Sequence, residues 1–410
     1  MAVRAPVAIT GIGLVTPAGI GRAANWKAVC TGAATADVVD TLADAPIGFA
    51  SVVPAAFDAD RLAGPRASRR YDRGTQFALA AGWEALDDAG LTPAALEGAR
   101  VAVVMGTAFG GVRSFEDDHA RLMADGPGAV TARFLPKALA NMASGVASIE
   151  FGATGPAMVV STACASGTTA IGIGLGLLRS GAADVVLAGG TDAAVTTLNV
   201  AGFHKLRALS RADRFPPARA SRPFDIAHDG FVMGEGAGVL ILERVPDATG
   251  RGARPYALLA GYGAASDAHH ITAPHPDGRG AKEAIREACD DAGLSPGDID
   301  HINAHATSTP IGDAIEAGVV AEIAPNAALT STKGVTGHPM GAAGAIEAAY
   351  TALTLHTRTV PPVANLDEPC ERAGGLDLVM GGARSQRVDT ALSNSFGFGG
   401  HNAVLAFTSA

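Results

Sequence analysis

The sequence predicts an α/β fold built on buried sheets, with one α/β unit present twice. Three observations predict it. Apolar runs bounded by glycine alternate with helix-like runs along the whole chain, and continuous apolar runs suit strands covered on both faces. Glycine is abundant, at 52 of 410 residues, while aromatic residues are only 5%, a mixture suited to close helix–sheet packing and many tight turns. Finally, VVSTACASGTTAIGIGLGLLRSG echoes ALTSTKGVTGHPMGAAGAIEAAYTAL, with the shared Ser-Thr pairs beginning at 161 and 331. Each reads as an apolar strand, a tight turn and a helix of small residues. The alternative to duplication is that Gly/Ala-rich sequence mimics itself.

Taken in order, the strand-like runs are VAITGIG (7–13), VAVVMGT (101–107), AMVVST (157–162) and DVVLAGG (184–190). In the second half come ALLAGYG (257–263), HINAH (301–305), AALTST (327–332) and the C-terminal TALSNSFGFGGHNAVLAF (390–407). Two helical runs, DRGTQFALAAGWEALDDAG and AKEAIREACDDAG, close on Gly90 and Gly293, as helices often do. Cys289, four residues after Ile285 on the second of these, is expected in the core. No linker rich in Pro or Ser separates the halves, so residues 1–250 and 251–410 are expected to pack as one body.

Composition bounds the function. Hydrophobic residues make up 48% and charged residues 17%, a globular balance. No apolar run is long enough for a membrane span, and the N-terminus has no signal-peptide anatomy, so a cytoplasmic protein is expected. The net charge of −9 argues against general nucleic-acid binding. The cysteines, at 30, 164, 289 and 370, have no metal-ligand spacing, so neither a disulfide framework nor a metal site is expected.

Cys164 stands apart, between an expected buried strand and an expected helix. There the helix dipole and free backbone N–H groups are expected to lower its pKa and to hold an oxyanion. The bland reading is a buried, inert thiol. Three further strand-to-loop segments weigh against it: INAHATSTPIGD with His305, STKGVTGHPMGAAGAIEA with Lys333, His338 and Glu347, and NSFGFGGHN with Phe398. Active sites of α/β folds gather at such ends. A thiol with two histidines in matching settings favours nucleophilic acyl chemistry.

TACASG, NAHATSTPIGD, STKGVTGHPMGAAGAIEA and SNSFGFGGHN, with SRPFDIAHDGFVMGEGAGVLILE and VAITGIGLVTPAG, together resemble the motif set of the elongating beta-ketoacyl-acyl-carrier-protein synthases. The resemblance covers essentially the whole chain in the family's order. It implies a thiolase-like, five-layered α-β-α-β-α fold from two duplicated halves, normally dimeric. It implies that Cys164 takes an acyl chain from carrier protein. His305 and His338 would assist loss of CO2 from malonyl-carrier protein and stabilise the enolate. Lys333 and Glu347 would form a supporting pair, and the N–H groups of Cys164 and Phe398 the oxyanion hole. Thr307 and Thr309 would bind the pantetheine arm, and Phe398 would also gate the thiol. Asp267, His270 and Thr272 would lie on a mobile entrance loop. No cofactor is implied, because substrates arrive on the carrier's phosphopantetheine.

The chain departs from the common pattern at Ala306, Pro339, His401 and Phe109. Phe109, where a smaller aliphatic residue is usual, is expected to border the acyl pocket near the dimer interface. RLAGPRASRRYDR contains Arg61, Arg66, Arg69, Arg70 and Arg73. Such a cluster is usually a solvated face. Here Arg66, Arg69 and Arg70, extended by Lys205 and Arg207, are expected to dock the acidic carrier protein. The alternatives kept open are a type II polyketide ketosynthase paired with a homologous chain-length-factor subunit, and a non-catalytic subunit that shapes a partner's tunnel. Such a subunit typically lacks the nucleophile. A thiolase would need a second catalytic cysteine near the C-terminus, which NSFGFGGHN does not offer.

Overall fold

The computed structural model describes residues 5–211 and 214–410. Ten main strands carry the architecture. The first half has β1 (Val7–Thr16), β2 (Val101–Gly106), β3 (Ala157–Val160), β4 (Val185–Asp192) and β5 (Gly236–Arg244). The second has β6 (Ala257–Ser266), β7 (His301–Asn303), β8 (Ala328–Thr330), β9 (Thr390–Gly397) and β10 (His401–Thr408). They hydrogen-bond in the order β8-β7-β9-β10-β6-β1-β5-β4-β2-β3. Counted outward from the centre, each half follows the same path: first strand, fifth, fourth, second, third. The duplication suggested by the echo is therefore a repeat of topology. The two halves join where Val7–Ile9 of β1 pairs antiparallel with Ala257–Leu259 of β6.

Helices complete five layers. Helices α1 (Arg73–Asp88) and α2 (Met142–Phe151) cover one outer face; α3 (Ser166–Arg179) and α6 (Ala343–Thr357) lie between the halves; α4 (Arg279–Ala292) and α5 (Pro310–Ile323) cover the other outer face. The thiolase-like α-β-α-β-α arrangement is thus present. Glycine permits its close approaches. A Cβ at Gly13 of β1 would lie 1.8 Å from the Ala81 carbonyl oxygen of α1, and one at Gly172 of α3 would lie 2.4 Å from the Tyr262 ring of β6. Both glycines let backbone reach backbone or ring directly, which larger residues forbid.

The expected strands are all present, with β9 and β10 as a hairpin split from the single C-terminal run. Strand β5 went unassigned from sequence, although it is buried over eight of nine residues. Strand β3, expected to be buried, is the sheet's edge: Ala157 is exposed and the next three residues are half-buried. Helix α1 ends at Asp88 and α4 at Ala292, each followed closely by a left-handed glycine, Gly90 or Gly293. Cys289 and Ile285 share the core as expected. Among the described residues, no helix is long and apolar enough to cross a membrane.

Candidate active site

The thiol sits on a strained turn. Ala163 has φ +50°, a conformation costly for a residue with a Cβ. Ser166 Oγ accepts the Thr162 N–H (2.9 Å) and donates to the Ala163 carbonyl (2.6 Å), which locks the turn. Gly397 lets β9 press against it, since a Cβ there would lie 2.6 Å from the Thr162 carbonyl oxygen. The turn therefore projects Cys164 just ahead of α3, with the N–H groups of Phe398 and of Cys164 itself facing the sulfur. The expected lowering of the thiol pKa does not occur. Burial pushes it up to about 11, while the Lys333 charge and the Phe398 N–H pull in the other direction. Desolvation outweighs the favourable field, so the resting group is a thiol.

Both histidines come from the second half. His305 follows β7, and His338 follows the short helix Lys333–Thr336 beyond β8. His338 Nε2 lies 3.0 Å from Cys164 Sγ. The two rings stand nearly perpendicular, with centroids 5.4 Å apart. Burial holds both pKa values well below the ordinary histidine value, and the Lys333 charge adds to this. Both imidazoles are neutral at neutral pH.

Lys333 and Glu347 form a fully buried ion pair behind the histidines. Burial pushes Glu347 up to about 7 against the pull of Lys333. A second buried carboxylate, Glu316 on α5, was not singled out from sequence. It accepts the backbone N–H groups of His305 (2.9 Å) and Ala306 (2.7 Å) and the Asn394 side-chain amide (3.0 Å). Burial raises its pKa to about 7 as well. Asp313, one turn earlier on α5, accepts the N–H groups of Ser308 (3.1 Å) and Phe224 (2.8 Å). The signal for both was an Asp and a Glu three residues apart on a largely apolar helix, where acids need a buried partner.

These groups surround a cavity of about 320 Å³. Its lining includes Cys164, His305, His338 and Phe398. Thr307 and Thr309 line it with hydroxyls 3.1 Å apart, and Asp267, Thr272 and Arg207 line it too. His270 does not line it; its Nδ1 instead accepts the N–H groups of Thr272 and Ala273 (3.1 Å each) and holds the entrance turn. Asp267 is buried, bonded to the Asn402 amide (2.9 Å) and the His275 N–H (3.0 Å). Phe109 does not reach the cavity as expected. It lies in an apolar cluster with Met340 and Val195, and its ring packs edge-on against Phe203, 6.2 Å away, which lines the cavity. Phe203 also contacts Phe231 and Phe398. The wall nearest the thiol is thus a set of rings, of which sequence singled out Phe398, which lines the cavity, and Phe109, which stands behind Phe203.

The basic cluster divides. Arg66, Arg69 and Lys205 are exposed. Arg70 lies 3.5 Å from Glu150 and stacks over the Tyr71 ring. Arg73 is committed to Glu235 (2.6 Å) and is not a free surface charge. Arg69 instead shares a cleft with Arg121, Arg133 and Lys137, a grouping that sequence separation hides.

A thiol and two neutral imidazoles at the strand ends of this duplicated fold define an acyltransferase of the condensing type. The comparisons identify its family. Residues 4–248 match the family model for the beta-ketoacyl synthase N-terminal domain, and residues 256–367 that for the C-terminal domain. A 3-oxoacyl-[acyl-carrier-protein] synthase 2 from Synechocystis sp. is 43% identical over 98% of this chain and 97% of its own length. One from Staphylococcus aureus is 40% identical over the same shares. Among solved structures, the ishigamide ketosynthase/chain length factor is similar, with TM-score 0.93 and 33% identity over 99% of this chain and all of that one. So is a type II polyketide synthase acyl-carrier protein in complex with its ketosynthase bound to the hexaketide, with TM-score 0.92 and 30% identity over the same shares. The chain belongs to the beta-ketoacyl synthase family.

Proposed function

We propose that this chain is an acyl-carrier-protein-dependent beta-ketoacyl synthase performing decarboxylative condensation. The observation that carries the reading is Cys164 Sγ, 3.0 Å from His338 Nε2, with neutral His305 alongside in one cavity. In the first half-reaction, His338 accepts the thiol proton as sulfur attacks the carrier-bound acyl thioester. The N–H groups of Cys164 and Phe398 hold the oxyanion. The carrier thiolate leaves and takes the proton back, and the acyl group stays on Cys164. In the second, with the sulfur acylated and no longer donating to it, His338 takes the Nε2–H tautomer, and the malonyl thioester oxygen receives one N–H from each neutral imidazole. The carboxylate departs as CO2, and the resulting enolate attacks the Cys164 thioester carbonyl. The C–S bond breaks, the elongated 3-oxoacyl chain leaves on its carrier, and the Cys164 thiolate is reprotonated from water.

Neutral imidazoles suit this step because each donates a hydrogen bond without needing to lose a charge. Thr307 and Thr309, whose hydroxyls line the cavity, bond the pantetheine arm on which the substrates arrive. Arg66, Arg69, Lys205 and Arg207 provide positive charge for an acidic carrier, and Arg70 adds to it where Glu150 leaves it free. The working form is a cytoplasmic dimer.

A second reading, the catalytic ketosynthase of a type II polyketide system paired with a chain-length-factor subunit, is favoured by Phe109, a ring behind Phe203 where a smaller aliphatic residue is usual, and by the ketosynthase neighbours. A non-catalytic subunit is disfavoured by the intact Cys164, His305 and His338.

The test is to incubate the purified chain with acyl-carrier protein and weigh the intact protein, then add malonyl-carrier protein and analyse the product. An acyl adduct that disappears in Cys164→Ala, followed by a 3-oxoacyl product, supports the reading. An adduct that survives Cys164→Ala refutes it. Activity of the chain alone favours the homodimer; activity only after adding a homologous subunit favours the polyketide system.

A further inference from the structure

Asp192 ends β4 and is buried, with 1% of its surface exposed. No step of the proposed reaction uses it. Its carboxylate accepts four hydrogen bonds from two segments. From the loop after β2 come the Thr107 hydroxyl (2.6 Å) and the N–H groups of Ala108 (2.9 Å) and Phe109 (3.1 Å). From the second half comes the N–H of Gly341 (2.7 Å), three residues beyond His338. The Thr107 hydroxyl in turn accepts the Gly110 N–H (2.9 Å) and fixes the loop.

The turn bearing His338 is held at both ends. At one end, the His338 N–H donates to the Val232 carbonyl (2.8 Å) and its carbonyl accepts the Gly234 N–H (2.9 Å). At the other, the Asp192 carboxylate receives the Gly341 N–H. Between them, Met340 has φ +50°, a strained conformation that must be enforced by its surroundings. The packing supplies that enforcement: a Cβ at Gly341 would lie 2.5 Å from the Ala108 nitrogen and 2.6 Å from Asp192 Oδ2.

We infer that Asp192 is a positioning residue, a buried carboxylate strut that fastens the His338 turn of one half to the Phe109 loop of the other and so sets the approach of His338 to Cys164. This rests on the condensing role proposed for the Cys164–His338 pair. An amide cannot replace it. In either orientation, the NH2 group of an asparagine side chain at this position would face at least one N–H that the carboxylate now accepts, Phe109 on one side or Ala108 and Gly341 on the other. Glutamate would keep the charge but push its oxygens about one methylene further into backbone-to-backbone packing.

The experiment compares the full-length parent, Asp192→Asn and Asp192→Glu, each shown to be folded by melting temperature. Condensation kinetics and the pH dependence of Cys164 alkylation by iodoacetamide are measured. Asp192→Asn is expected to lower kcat by roughly tenfold to a hundredfold, as small misplacements of reacting groups do, with little change in KM for the carrier thioester. Its alkylation curve is expected to move to lower pH, because the Asp192 charge opposes ionisation of the thiol. Asp192→Glu is expected to lose kcat while keeping the parental alkylation curve. Those two responses separate geometry from charge, and a merely structural role would not produce them. Parental kcat in a folded Asp192→Asn, or a parental alkylation curve in it, overturns the inference. If Asp192→Asn does not fold, Thr107→Val, which deletes one of the four donors, carries the test; it must lower kcat, and unchanged kcat overturns the inference. Failure of the parent itself to condense would count against the proposed function, not against the strut, whose alkylation readout needs no turnover.

Discussion

Cys164 and His338 divide the proton between them in an uncommon way. Desolvation raises the thiol and lowers the imidazole, so the resting pair is neutral, and in the proposed reaction the thiolate forms only as the substrate arrives. His305→Ala and His338→Ala are therefore expected to differ. Both should lose CO2 release from malonyl-carrier protein by roughly a hundredfold or more, because the enolate needs both donors. His338→Ala should also slow acylation of Cys164, because its imidazole touches the sulfur; His305→Ala should slow acylation less. Separate assays of CO2 and acyl adduct decide it, and normal CO2 release in both variants would refute the shared role. The residues meeting at the thiol were legible because each sits in a polar motif at a strand end. Asp192 was not, since a lone acid in an apolar segment shows no partner until the fold brings backbone donors to it, and the spacing of Asp313 and Glu316 signalled burial without naming the partners. The sign of the Cys164 shift was also hidden, because a motif displays the helix N-terminus but not the depth of burial.

At the scale of elements, the wall of the cavity is made by α-helix and loop side chains packed edge to face. Phe109 acts through Phe203. Phe109→Ala is expected to let Phe203 retreat into the vacated space and so admit longer primers, each further buried methylene contributing about 0.8 kcal/mol. A primer series assayed beside the oligomer's mass checks this. An unchanged chain-length profile in an intact oligomer would show that Phe203 alone sets the limit. Position in the sequence placed Phe109 near the acyl chain but could not place Phe203 in front of it. The same limit hid the commitment of Arg73 to Glu235, a pair separated by 162 residues. Strand alternation was more legible, because glycine boundaries and apolar runs are local; the exposure of β3 was not, because being an edge is a property of the whole sheet.

For the whole molecule, buried titratable groups of opposite character balance. Burial lowers His301 to about 3 and holds His305 and His338 well below 6.5. It raises Glu316 and Glu347 to about 7 and Asp192 to about 6. As pH falls from about 6 to 4.5, the unfolded chain protonates its histidines while the folded one resists, which costs stability. Over the same interval the folded chain holds protons on the three carboxylates that the unfolded chain lacks, which restores it. Stability is expected to stay nearly flat in that window. As pH falls on through about 4.5 and then 3.8, the unfolded chain protonates these carboxylates too, so of the six groups only the histidines still act and stability is expected to fall. Urea midpoints across a pH series test this; a steady decline beginning at pH 6.5 would contradict it.

The repeated strand path also separates what the protein inherits for each substrate. The loop after β2, with Phe109, and the turn after β3, with Cys164, belong to the copy that in the proposed reaction holds the growing chain. The loop after β7, with His305, and the segment after β8, with Lys333 and His338, belong to the copy that in the proposed reaction prepares the extender. A chimera joined between Arg244 and Ala257 would thus have to bring Asp192 of one copy and Gly341 of the other into register, because that bond crosses the join, and neither copy is free to drift without the other.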